Sequence, residues 1–138
     1  MVIVVMDGQG GGIGSAVIKA LRTAVKADVE ILALGTNSEA TARMMRAGAN
    51  RGATGENAIV QTSPRADVIM GPLAVLMAHA MMGEVTPRMA EAVSMSKAKK
   101  ILIPLTQEKV TLVGTTADPL PHLVEEAVKL VKEMVEHV

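Results

Sequence analysis

Near its start the chain passes from an apolar run into a dense cluster of glycines. Residues 2–6 are all apolar and mostly β-branched, and five of the seven residues 8–14 are glycine. Apolar residues at helical spacing then follow from Ile13 to Ala24. This order predicts a buried strand, a tight turn and an amphipathic helix, the unit from which parallel α/β sheets are built.

The remainder of the chain alternates in the same way. Further strands are predicted at residues 29–34, 50–54, 66–70, 101–105 and 110–113, with helices between most of them and a long helix after Pro119. One predicted helix, residues 73–82, is apolar on every side. Only residues 106–109 separate the last two strands, too few for a parallel crossover, so an antiparallel edge hairpin is expected. The expected fold is α/β: a single Rossmann-like three-layer domain over residues 1–138, with a mostly parallel sheet and a central first strand.

Composition removes several classes of function. The 138 residues, 49% of them hydrophobic, suit one compact domain. Fourteen basic residues balance fourteen acidic ones, which argues against a nucleic-acid or anionic-membrane partner. The absence of Cys excludes disulfides and thiolate metal sites, and the absence of Phe, Trp and Tyr excludes aromatic stacking on bases. No targeting or membrane-spanning segment stands out, so we expect a cytoplasmic protein.

The glycine loop, defined here as residues 8–14, is the best candidate for a ligand site. Glycine permits close backbone approach, and free N–H groups at a helix start favour a phosphate. The loop lacks the Lys of a P-loop, and Ile13 breaks the strict six-residue dinucleotide fingerprint. The alternative is a non-catalytic regulatory or interaction module in which the glycines only make a tight turn. The residues expected to hold a nucleotide or other phosphate ligand are Gly8, Gln9, Gly10, Gly11, Gly12, Ile13 and Gly14.

Two resemblances extend this interpretation. The spacing Gly8-x-x-x-Gly12-x-Gly14 resembles the cofactor loop of short-chain dehydrogenases, which implies a dinucleotide, although the catalytic Tyr of those enzymes is absent. Over nearly the whole chain, the segments DGQGGGIG, ALGTN, GATGENA and KKILIPL resemble a family of small bacterial proteins catalogued as a domain of unknown function. That resemblance implies a Rossmann-like domain and no particular reaction.

Other polar residues are expected to converge on the carboxyl ends of the parallel strands, where such sheets bind ligands. Thr36 and Asn37 follow the second predicted strand, and no acid stands there to receive the ribose of NAD. They could instead hold the 2′-phosphate of NADP, with Arg43 or Arg46 nearby, which favours NADP or a mononucleotide. The alternative role for both residues is helix capping.

The same edge should hold further candidates. Glu56 could orient a ribose or act as a base, and Asn57 could bind an amide or base edge; Glu56 is equally suited to a first helical turn. Gly71 and Thr106 follow two later strands. Asp7 could cap the glycine loop or hold a metal-bound water, and capping is favoured. Asp7 and Glu56 could also be the acid and base of an enzyme acting on a phosphorylated sugar or nucleobase, provided that they face one cleft.

Metal binding and subunit association complete the expectations. His79, His122 and His137 are scattered, with no cluster of ligands at metal-binding spacing, so no metal site is expected. His79 lies on the predicted apolar helix and is expected to be a core or interface residue rather than a ligand. Because a small domain has difficulty burying an apolar helix on all sides, residues 73–82 favour a homodimer.

Overall fold

The sheet is central to the fold. A computed structural model describes residues 1–25, 29–105, 108–115 and 117–137. All strand pairings within these residues are parallel, in the order β3-β2-β1-β4-β5, so the first strand is central as predicted. The five strands are β1 (Val2–Asp7), β2 (Glu30–Gly35), β3 (Arg51–Thr54), β4 (Val68–Pro72) and β5 (Lys99–Ile103).

Helices cover both faces of this sheet and give the three layers that the strand–helix alternation predicts. Val5 points into a core formed with α1 and α5, whereas Met6 points into a second core formed with α3 and α4. This alternation follows from the two-residue period of a strand and explains why β1 is buried along almost its whole length. The helices are α1 (Gly12–Ala24), α2 (Ser38–Arg46), α3 (Glu56–Thr62), α4 (Pro87–Met95) and α5 (Leu120–Glu136).

The predicted antiparallel hairpin after β5 is wrong. The described residues of the segment 108–115 form turns and irregular backbone, and β5 is the edge strand on this side. Val110 and Val113 are exposed, so a strand here would bury little apolar surface. That burial would not offset the conformational entropy lost when the backbone is ordered. Thr106 and Gln107, which the hairpin turn would have used, lie outside the described residues.

The predicted helix at residues 73–82 is also wrong. A 3₁₀ turn covers Leu73–Leu76, and tight turns continue to Gly83. Ala74, Val75, Ala80 and Met81 are all buried in the second core, which irregular backbone allows although they do not lie on one helical stripe. An apolar run of this length is compatible with either form, and here tertiary packing selects the turns. Residues 73–82 therefore present no helix that is apolar on every side, and this segment no longer favours a homodimer.

The short elements on the other side of the sheet agree with prediction. The strand expected at residues 50–54 is β3, at the opposite edge from β5. Asn37 is the N-cap of α2, and its side-chain oxygen accepts a 2.9 Å hydrogen bond from the Ala40 N–H. Among the described helices, none combines the length and the apolar character that crossing a membrane requires.

Candidate functional site

The glycine loop lies where the strand order of the sheet reverses direction. The central strand β1 pairs with β2 on one side and with β4 on the other, and the loop connects its carboxyl end to α1. Open parallel sheets bind their ligands at this switch point. Gly11, the N-cap of α1, has a φ of 74°, and a Cβ there would lie 3.0 Å from the Ala40 backbone. The loop conformation therefore requires glycine at this position.

The side chain of Asp7, the last residue of β1, caps the glycine loop. Its two carboxylate oxygens accept hydrogen bonds from the N–H groups of Gly8, at 2.8 Å, and Gly14, at 2.7 Å, and the residue is 4% exposed. Burial raises the pKa of Asp7, although the backbone hydrogen bonds and Arg43 act in the opposite direction. The capping role favoured from the sequence is the one that these bonds show.

A cleft of about 580 Å³ opens above the loop. The glycine loop forms one wall of the cleft, and a predominantly apolar wall lies opposite, on the side of β4. This volume lies within the range of small-molecule sites in proteins. The lining residues are Asp7, Gly8, Gln9, Gly10, Gly11, Gly12, Ile13, Pro72, Ala74, His79, Met81, Met82, Leu105 and Glu108.

At Gly10 and Gly12 the backbone of the glycine loop has almost no neighbouring atoms on the side where a side chain would stand. A Cβ added at Gly10 would meet only the Arg43 guanidinium, at 3.9 Å, and one at Gly12 would meet the same group at 3.6 Å. Arg43 donates a 3.3 Å hydrogen bond to the Gly10 carbonyl. A cation thus stands beside open backbone at the positive end of α1, an arrangement that favours an anionic group.

Unusual backbone conformations are concentrated around the cleft. Four described non-glycine residues have a left-handed backbone: Gln9, His79, Met81 and Met82, with φ values between 49° and 71°. All four line the cleft. Such conformations persist only where the surroundings impose them, and they cluster at ligand sites and switches. The cleft is therefore the strongest candidate site in the described residues.

Glu84 is a site residue that sequence reasoning missed. Its Oε1 accepts hydrogen bonds from the Gln9 N–H at 2.8 Å, the Thr36 hydroxyl at 2.6 Å and the Asn37 side-chain amide at 2.8 Å. Desolvation acts to raise the pKa of Glu84, but the three hydrogen bonds together outweigh it and lower the pKa. No local pattern marks this residue, because its partners lie between 47 and 75 positions away.

These bonds change the interpretation of Thr36 and Asn37. Both side chains donate to Glu84, and Asn37 also donates to the Gln9 carbonyl at 2.9 Å. They are thus committed to shaping the loop, and the acid beside them is unfavourable for the 2′-phosphate of NADP. Arg46 is exposed on α2, whereas Arg43 is the arginine that reaches the loop.

The other predicted residues do not join the cleft. Glu56 pairs with Arg88 at 3.5 Å, and Asn57 is exposed on α3. Gly71 lies inside β4 rather than after it, and a Cβ there would be 2.1 Å from the Met6 carbonyl, so its role is close strand packing. The lining of the cleft includes none of these three residues, nor Gly14, Thr36 or Asn37. Asp7 and Glu56 are consequently not brought to one cleft as an acid–base pair.

His79 lies at the cleft instead of in the core. The core position that was one of its two predicted roles is wrong, because His79 belongs to a tight turn and is exposed; the interface role stays a prediction. Thr106 lies outside the described residues. In the ranges that the structure describes, no group of three or more His, Asp or Glu side chains is arranged to hold a metal ion.

Fold and loop together define a doubly wound parallel α/β domain with a candidate ligand cleft at the switch point of its sheet. The chain belongs to the family described as Domain of unknown function (DUF3842), which matches residues 2–136. This confirms the resemblance to a family of unknown function predicted from the sequence. No curated protein matches the chain.

The solved structures that are similar to the chain include the following two. One is a dodecameric FMN-dependent UbiX-like decarboxylase from Escherichia coli O157:H7, with 17% identity and a TM-score of 0.55, covering 98% of this chain and 94% of that one. The other is a universal stress protein in complex with cAMP, with 20% identity and a TM-score of 0.41, covering 72% of this chain and 94% of that one. The first similarity supports the α/β fold described above.

Proposed function

We propose that the cleft binds a phosphorylated mononucleotide, with FMN as the first candidate. The phosphate would lie over the open backbone of Gly10 and Gly12, beside the Arg43 guanidinium. The observation that carries this proposal is the position of Arg43 next to two glycines whose faces are open, at the start of α1. Backbone amides at a helix start and a neighbouring guanidinium are a recurrent phosphate-binding combination. The proposal concerns binding and assigns no reaction.

The opposite wall of the cleft supports a flat, partly apolar ligand. Pro72, Ala74, Met81, Met82 and Leu105 form this wall, and Met82 is 96% exposed. Methionine side chains adapt their shape to irregular ligands and make favourable contacts with aromatic rings. The FMN dependence of the similar decarboxylase supports FMN as the first ligand to test. The commitment of Thr36 and Asn37 to Glu84 favours a mononucleotide over NADP.

A second candidate function is a non-catalytic module in which the loop serves structure alone. Specific bonds favour it: the carboxylates of Asp7 and Glu84 already accept from the N–H groups of Gly8, Gly14 and Gln9. A loop whose amides are bonded to the protein's own acids has fewer donors left for a phosphate. Under this alternative the protein binds neither FMN nor NADP.

A titration with FMN separates the two functions, with the Gly12→Val variant as the probe. A Cβ at Gly12 would meet only the Arg43 guanidinium, at 3.6 Å, so a side chain can begin there without contact between its Cβ and the backbone of other residues, and valine narrows the cleft. We expect FMN affinity to fall about tenfold or more in Gly12→Val, because the bulk displaces the phosphate. Ala42→Val, at an exposed position of α2, is the matched control. Undiminished binding by Gly12→Val would sink the proposal, and a wild type that binds no FMN would support the structural alternative.

We also propose self-association, now through exposed apolar residues after β5 instead of a helix at 73–82. Val113 is 99% exposed, and Leu105, Val110 and Leu112 are also exposed. Clustered exposed apolar side chains are typical of subunit interfaces. Sedimentation velocity should show a homodimer or larger assembly that Val113→Asp weakens. A wild type that sediments as a monomer at all concentrations tested would contradict this.

A further inference from the structure

Charges of opposite sign stand at the two ends of the glycine loop. The Arg43 guanidinium lies next to Gly10 and Gly12, at the end that begins α1. The Glu84 carboxylate lies at the other end: a Cβ on Gly8 would be 3.0 Å from its Oε1, and the Gln9 N–H donates to the same oxygen. Gly8 and Gln9 both line the cleft. Arg43 and Glu84 do not line the cleft themselves, but each contacts the backbone of a residue that does, Gly10 and Gln9 respectively. A ligand lying along this wall is therefore near a cation on one side and near an acid on the other.

The position of Glu84 corresponds to the place where dinucleotide sites carry an acid for the ribose. In those sites the acid follows the second strand directly. Here β2 ends at Gly35 without an acid, and Glu84 arrives from the turn before α4 to contact Thr36 and Asn37. All three of its hydrogen bonds use Oε1, so none of them occupies Oε2. A carboxylate oxygen accepts from a sugar hydroxyl and repels a phosphate.

We propose that Glu84 is a specificity-determining residue: it admits a sugar that carries free hydroxyls at the β2 end of the cleft and rejects a sugar phosphorylated there. This inference rests on the proposed function, since it requires the ligand's own phosphate to lie at the Arg43 end. The ligand class is then nucleotides that carry phosphate only on the side that faces Arg43 and none on the sugar hydroxyls that face Glu84. The low pKa of Glu84 keeps the carboxylate charged at neutral pH.

Two ligands that differ only in the 2′-phosphate test the inference. Adenosine 5′-monophosphate and adenosine 2′,5′-bisphosphate are each used to displace FMN from the wild type, from Glu84→Gln and from Glu91→Gln. We expect the bisphosphate to be weaker than the monophosphate by about tenfold or more in the wild type, because like charges are brought together. In Glu84→Gln this ratio should shrink to about threefold or less. Glu91 is an exposed acid of α4, so Glu91→Gln should keep the wild-type ratio.

Salt dependence provides a second measurement that needs no variant. Raising the ionic strength from about 0.1 M to about 1 M shortens the screening length from about 10 Å to about 3 Å. The difference in wild-type affinity between the monophosphate and the bisphosphate should therefore become smaller. Equal displacement by both ligands, or displacement by neither while FMN binds, would overturn the inference and leave the proposed function standing. An unchanged ratio in a folded Glu84→Gln would overturn it as well. Failure of FMN itself to bind would overturn both.

Discussion

Glu84 accepts a 2.8 Å hydrogen bond on its Oε1 from the backbone N–H of Gln9, joining two segments that are 75 positions apart in the chain. One is the glycine loop after β1, and the other is the turn that precedes α4. Gln9 has a φ of 49°, a conformation that a non-glycine residue keeps only under local constraint. The shape of the glycine loop therefore depends on an acid that a distant segment of the chain supplies.

The stability that Glu84 contributes should depend on pH in a defined direction. Its pKa is lower in the folded protein than the ordinary value of 4.5, so its contribution is present above 4.5 and is lost as the pH falls through the folded pKa. We expect Glu84→Gln to reduce the free energy of unfolding by about 1–2 kcal/mol at pH 7, since charge-assisted hydrogen bonds at a partly exposed group are lost. Urea unfolding followed by circular dichroism between pH 3 and 7 measures this.

The control for that experiment is Glu91→Gln, which removes an exposed acid from α4. Its effect on the free energy of unfolding should be small at every pH. A Glu84→Gln penalty that stays constant down to pH 3 would show that the carboxylate charge is not what holds the loop.

Asp7 should show the opposite dependence on pH. Burial raises its pKa above the ordinary value of 3.8, so the folded protein binds this proton more tightly than the unfolded chain does. Stability from Asp7 therefore falls as the pH rises from 3.8 through the folded pKa. We therefore expect the free energy of unfolding of the wild type to fall, relative to that of Asp7→Asn, as the pH rises from 3.8 through the folded pKa. Urea unfolding of both proteins at a series of pH values measures this. A difference that grows with pH would contradict the direction of the shift.

The two neighbouring glycines at positions 10 and 11 should respond differently to alanine. Gly11 has a left-handed φ of 74° and meets the Ala40 backbone, so Gly11→Ala should reduce the free energy of unfolding by about 1–3 kcal/mol. At Gly10 a Cβ would meet only the flexible end of Arg43. Gly10→Ala should therefore change the free energy of unfolding by about 0.5 kcal/mol or less. Thermal unfolding of both variants measures these two losses in free energy of unfolding. Equal losses would contradict the left-handed conformation of Gly11 and its close contact with the Ala40 backbone.

The sheet was predictable because its strands carry a strong local signal. Residues 2–6 are entirely apolar, residues 29–34 and 66–70 each contain one acid among apolar residues, and Asp or Gly follows each of the three runs. The lengths of chain between these runs require crossovers. The short strand β3 was also predicted, although its local signal is weak, since it contains Gly52 and all four of its residues are exposed. The hairpin failed because an exposed run such as residues 110–113 has apolar residues without a surface to bury them against.

The site was predictable only in its local part. The glycine loop and Asp7 are adjacent in sequence, so their contact follows from a strand–turn–helix unit. His79 reaches the cleft, and Glu84 reaches the glycine loop, through turns that only tertiary packing determines, whereas the apolar composition of residues 73–82 suggested a helix. Arg43 was identified as nearby from its place on α2, but its contact with Gly10 depends on how α2 packs against the loop.

The proposed phosphate site consists of Arg43 and the open backbone of Gly10 and Gly12. Equilibrium binding of FMN to wild type, Arg43→Gln and Arg46→Gln tests it most directly, since Arg46 carries the same charge three positions further along α2. The chain has no aromatic residue, so absorption above 300 nm comes from the flavin alone. We predict that Arg43→Gln weakens FMN binding about tenfold or more, whereas Arg46→Gln leaves it within about twofold of the wild type. Equal affinities for all three proteins would contradict the account.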